Sequence, residues 1–129
     1  MSLSVVRFGE PKRPGEGLRL GTVRRAPRGV KKADYAAKHL YDVWFPNLAP
    51  SEELLKAALP ITDEAQWRAF KRKFLAEMKI TTALRDLQLV AALSHHTNLA
   101  IGCYCEDAQR CHRSILRDLL ARLGADIRR

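Results

Sequence analysis

Apolar and polar positions alternate over residues 3–8, which predicts a first strand, and residues 9–17 break the pattern with Pro11, Pro14 and three glycines. The alternation resumes over residues 18–24 as a second strand. A short helical turn is expected over residues 34–39. Residues 40–45 have the aromatic and β-branched content of a strand, although 41–44 fits a helix equally, and Pro46 ends either one. The period then becomes helical. Ser51 is placed to N-cap residues 52–59, with Glu52 and Glu53 in the first turn and Pro60 as the stop. Asp63, with Gln66 three residues on, makes a capping box ahead of Trp67, Phe70, Phe74 and Met78 on one face. A further helix starts at Thr81 or Thr82 and runs through Leu84, Leu87, Val90 and Ala91 to about His95. The apolar run 99–104 reads as a buried strand, 106–110 as a polar loop and 114–123 as an amphipathic helix with Gly124 as its C-cap. Residues 124–129 form a tail or a short edge strand. The alternation of strands and helices predicts a single α/β domain over residues 1–129, with a small, largely parallel sheet flanked by helices in three layers.

Composition narrows the partners more than the fold. With 23 Lys and Arg against 14 Asp and Glu, the chain carries a formal charge of +9, which favours anions: a small phosphate-like ligand, or nucleic acid. A merely solvated basic surface is the plainer alternative. The basic residues are spread along the chain rather than gathered in a tail, and Lys71, Arg72 and Lys73 fit either a solvated helix face or one laid on nucleic acid. No run reaches the roughly 18 apolar residues that span a bilayer. The start lacks the basic-then-apolar pattern of a signal peptide, so the expected partners include no membrane and the expected location is cytoplasmic. Three cysteines fit reduced thiols better than a disulfide framework. No motif calls for a cofactor, and no feature sets an oligomeric state.

Candidate chemistry gathers in residues 98–116, which hold all three cysteines and the triplet Cys111-His112-Arg113. Cys105 leaves a strand and Cys111 opens a helix. Such a turn lies at the carboxyl edge of an α/β sheet, where free helix N–H groups attract anions. The helix start, with Arg110, His112 and Arg113 nearby, favours the thiolate of Cys111. Leu99, Ile101 and Cys103 share one strand face, which makes Cys103 a packing residue. A second concentration lies at residues 24–32, five of them basic, where Pro27 and Gly29 shape the turn. Arg24, Arg28, Arg113, His112 and Ser51 are therefore expected to converge on one anion. Cys111 or Cys105 would be the nucleophile and His112 the general acid or base.

Four residues separate Cys105 from Arg110, one short of the familiar cysteine-phosphatase spacing, which disfavours that chemistry. The alternatives are a metal or redox site using Cys103, Cys105, Cys111 and His112, including a Cys105–Cys111 disulfide, and a noncatalytic nucleic-acid-binding module. The structural reading is that Arg113 pairs with a carboxylate, His112 caps and Cys111 packs. His95 and His96 suit the negative pole of the preceding helix better than a metal.

Three blocks resemble the family catalogued as domain of unknown function 488: Arg24 with Pro27-Arg28-Gly29-Val30-Lys31-Lys32, Trp44 with Leu48-Ala49-Pro50-Ser51 and Glu53-Leu54, and Cys111-His112-Arg113. Residues 67–70 and 74–77 are similar to its middle helix. The resemblance spans nearly the whole chain and implies an α/β fold and a site, with no assigned activity. Where the family pattern has Asp-Arg-Leu-Trp, this chain has Val23-Arg24-Arg25-Ala26, so it lacks the carboxylate that would orient Arg24 or act as a base. Cys105 is less typical of the family than Cys111.

Overall fold

The computed structural model describes residues 1–25, 29–35, 37–58, 61–104 and 111–128. Among them four strands form one parallel sheet in the order β1-β4-β2-β3: β1 (Leu3–Arg7), β2 (Leu18–Gly21), β3 (Val43–Trp44) and β4 (Leu99–Cys103). The helices are α1 (Glu52–Ala58), α2 (Glu64–Glu77), α3 (Thr81–Leu93) and α4 (His112–Arg122). Leu3, Leu99 and Ile101 point from one sheet face into a core shared with Leu54, Phe74, Leu87 and Leu116, so all four helices cover that face. The other face is covered by Phe8, Val23, Tyr35 and Tyr41 from connecting segments, one of which contains a 3-10 turn over Lys32–Asp34. A sheet covered on both sides needs apolar or paired residues at every position of its central strand, and all five residues of β4 are buried.

The capping box at Asp63 and Gln66 is present, Phe70, Phe74 and Met78 are buried, and Arg72 and Lys73 stay in solvent. Ser51 caps α1 by accepting the Leu54 N–H at 3.1 Å. In α3 the fully buried positions are Ala83, Leu87, Val90 and Ala91, with Leu84 only half-buried, and the helix stops at Leu93 instead of reaching His95. His95 nevertheless serves a helix end: its Nε2 donates to the Gly124 carbonyl at 2.6 Å and ties α3 to the end of α4. Gly124, at φ +90°, closes α4 in a conformation that a side chain would strain. The Gly124 and Ala125 N–H groups cap the carbonyls of Ala121 and Leu120. Ile127 then bridges Leu3, so the tail joins the edge of β1.

Two strands are shorter than the pattern predicts. β2 ends at Gly21 because Thr22 leaves the ladder, its N–H turning back to Leu20 and its hydroxyl donating to Gly102 O at 2.8 Å. β3 keeps two residues because Tyr41 turns into the second core and Asp42 accepts the Arg19 N–H at 2.8 Å with a side chain instead of a backbone carbonyl. Predicted features at residues 26–28 and 59–60, among them Pro27 and Pro60, lie outside the described residues.

Asp42 makes this junction sensitive to pH. Burial raises its pKa, but the Arg19 N–H and the Lys12 ammonium, 2.6 Å away, outweigh that and hold the carboxyl below its ordinary value. Its charge thus stabilises the fold above about pH 4, the unfolded value, and the contribution disappears as pH falls through the lowered one. Asp42→Asn should cost about 1 kcal/mol at neutral pH. The gap to wild type should close in acid, and thermal melts from pH 7 to pH 2 measure it. A gap constant with pH would show that the charge does not matter.

Candidate active site at the carboxyl edge of the sheet

β2 and β4 are neighbours, and both deliver their following residues to one edge of the sheet. Cys103 is the last residue of β4, and Cys111, extended at φ −132° and ψ 148°, is the N-cap of α4. The return of the chain puts the two sulfurs 2.7 Å apart, closer than ordinary van der Waals contact and longer than the ~2.05 Å covalent bond. His112 follows at the first position of α4, with Nδ1 3.7 Å from the Cys111 sulfur. Its Nε2 lies 2.5 Å from the Thr22 carbonyl. A carbonyl only accepts, so Nε2 carries the proton and Nδ1 faces the thiol with a lone pair. Thr22 is itself held by Gly102, and the Phe74 ring stands nearly perpendicular to the imidazole, in a T-shaped contact with centroids 5.8 Å apart. All three reactive side chains are buried.

A cavity of about 210 Å³ reaches this group, lined by Val23, Arg24, Phe70, Tyr104, Cys111 and His112 among others. An adjoining space of about 440 Å³ shares Val23, Arg24, Leu55 and Tyr104 and extends to Arg25 and Glu52, which form an ion pair. Arg24 is aimed by backbone: Nε donates to Pro50 O at 3.0 Å and Nη2 to Ala49 O at 2.9 Å, while Nη1 has no protein partner among the described residues. The guanidinium is therefore fixed with one corner left for a ligand. Burial, with Tyr35 and Cys103 contributing, pushes the Tyr104 hydroxyl up to about 12, so it remains a neutral donor near neutral pH.

Cys103 Sγ, Cys111 Sγ and a ring nitrogen of His112 lie within 4.8 Å of one another and are the residues that could ligate a soft metal. Two thiolates on one tetrahedral zinc would stand roughly 3.7 Å apart, given Zn–S bonds of about 2.3 Å. The sulfurs lie too close for that and would have to separate before both could bind one ion.

The structure therefore brings together Cys111, His112 and Arg24. Ser51 follows Pro50 at the cavity wall, but its groups are already engaged: besides capping α1, its N–H donates to Glu77 Oε1 at 2.9 Å and its hydroxyl donates to the same carboxylate. Arg113, one residue past His112, turns to a different face of α4 and lines a different cavity with Arg7 and Arg19. Arg28 and Cys105 lie outside the described residues. Sequence reasoning missed Thr22 and Tyr104 as members of the site, and it named Cys103 only in the metal or redox alternative, reading it otherwise as a packing residue. Cys103 carried a usable signal, since the last residue of a central parallel strand sits at the ligand edge. Nothing in the local sequence marks Thr22, because its part is played by a carbonyl.

Residues 3–124 match the family model DUF488-N3a, described as the active DUF488-N3 subclade. No curated protein and no solved structure matches the chain. No helix among the described residues is long and apolar enough to cross a membrane.

Proposed function

Since the chain belongs to the DUF488 family, we propose that it is a thiol-dependent enzyme acting on a small ligand with a negatively charged group, with Cys111 as nucleophile and His112 as its base. The alignment of Cys111 Sγ, His112 Nδ1 and the Thr22 carbonyl on Nε2 carries this reading: a nucleophile, a base and a group that orients the base. The S–H bond breaks as its proton passes to Nδ1. The imidazolium then donates from Nδ1 to the thiolate and from Nε2 to Thr22. The α4 amino terminus adds partial positive charge beside the sulfur. Arg24 holds the anionic group and Tyr104 supplies a neutral donor at the same cavity. The family model's description as an active subclade supports an enzyme over a pure binding module.

Alkylation by iodoacetamide followed against pH tests it. Cys111 should react with an apparent pKa below the ordinary thiol value of about 8.5, and His112→Asn should return it to that value. Sulfate should slow the reaction in the wild type and have less effect in Arg24→Gln. Ordinary titration of Cys111 with and without His112 would overturn the assignment.

A second reading rests on the Cys103–Cys111 separation of 2.7 Å. An external disulfide is attacked by the Cys111 thiolate, releasing one thiolate; Cys103 then displaces the second and closes an internal disulfide, with both cysteine protons passing to solvent or the released thiolates. Incubation with glutathione disulfide should remove both thiols together, and Cys103→Ser should stop at the mixed disulfide. Closure unaffected by Cys103→Ser would rule this pairing out.

A further inference from the structure

The separation of Arg113 from the thiol site leaves a buried charge with no counter-ion among the described residues. Arg113 is 5 % exposed, and its Nη1 donates to the Val6 carbonyl at 3.2 Å. No carboxylate lies within ion-pair distance of it among the described residues. A guanidinium taken this far out of water needs an anion or strong hydrogen bonding to repay its desolvation, and one bond to a neutral carbonyl is a weak substitute. The side chain borders a cavity of about 610 Å³ that runs along the outer edge of β1, between the loop after β1 and α4.

The lining is strongly basic. Arg7, Arg13, Arg19, Arg113, Arg117 and Arg128 border it, against Glu10 and Glu16. Glu16 is already paired with Arg19 at 2.6 Å, and among the lining residues six guanidiniums stand against two carboxylates. Its volume is in the range of small-ligand sites, and guanidinium forks suit phosphate oxygens. We propose that this cavity binds a small polyphosphate-bearing ligand, held at its inner end by Arg113 and at its mouth by Arg13 and Arg117. The site lies on a different face of α4 from the Cys111 cavity and does not depend on thiol chemistry.

Calorimetric titration of the intact chain with inorganic pyrophosphate tests the proposal. Saturable binding of one pyrophosphate per chain is expected. Arg117→Gln and Arg13→Gln, both at exposed positions, should each weaken it about tenfold, the effect of losing one charge-assisted hydrogen bond. Arg72→Gln, which removes the same charge from the outer face of α2, should change it less than twofold. Equal losses in all three variants would show a diffuse attraction to a basic protein and overturn the proposal, as would the absence of saturation. A single strand of about 20 nucleotides that binds more tightly than pyrophosphate, with affinity falling steeply as salt rises, would overturn it in favour of a nucleic-acid track.

Discussion

Phe74→Ala is expected to cost about 3–5 kcal/mol of folding stability, the usual range for deleting a fully buried aromatic ring. Phe74 is 0 % exposed and lies where α2 meets the sheet core, stacked on Phe70 with centroids 6.1 Å apart and nearly perpendicular to the His112 ring at 5.8 Å. The substitution therefore removes packing enthalpy, opens a cavity and frees the imidazole on one side. Urea denaturation should show the loss as a lower midpoint at an unchanged slope. The folded fraction should also show a Cys111 thiol less responsive to pH, because Nδ1 is no longer held toward the sulfur. Phe74→Leu, which fills much of the volume, should recover stability more than it recovers the thiol response. A loss below about 1.5 kcal/mol for the alanine variant would mean that the core collapses around the missing ring and that Phe74 does not brace the site.

Arg19→Met should be comparably severe, about 3–5 kcal/mol, because it strands a buried carboxylate. Arg19 and Glu16 are each about 1 % exposed on their side chains, and the guanidinium donates from Nε to Glu16 Oε2 at 2.6 Å and from Nη2 to Oε1 at 3.4 Å. Its Nη1 also donates to the His39 carbonyl at 2.6 Å. His39 has φ +56°, a backbone state that a non-glycine residue holds only when its surroundings impose it, and Arg19 is one of the groups imposing it. The double variant Glu16→Met with Arg19→Met should be much closer to wild type, since no charge is left unpaired. Chemical denaturation of the two singles and the double closes the cycle. Additive losses in the double would show that the two residues act independently and that the ion pair is not what holds the loop against the sheet.

Most element types were legible in the sequence, although residues 41–44 fitted strand and helix equally. The helix over residues 64–77 announces itself through a capping box and an aromatic stripe, both local features set by hydrogen-bonding geometry and the 3.6-residue period. Gly124 likewise marks its own stop, because a left-handed residue is cheapest as glycine. The apolar run at residues 99–104 pointed to a buried strand, and Leu99–Cys103 is one, with every residue buried. A carboxyl-edge site near Cys111 followed from the order strand, loop, helix.

What the tertiary structure decided is which side chains face one another. Arg19 sits between Leu18 and Leu20, and simple alternation turns it to solvent; instead Leu18 is 55 % exposed and Arg19 is enclosed, because the second sheet face has its own cover carrying Glu16. Cys103 looked like a core thiol until the return of α4 set Cys111 against it. Arg113 parts company with its neighbour His112 because consecutive helical residues point about 100° apart, so one motif feeds two cavities. Local sequence determines periods, caps and stops, since those energies act within a few residues. Pairing across residues 19–39, 22–112 and 103–111 depends on how elements pack, and that is where the chemistry of this chain is assembled.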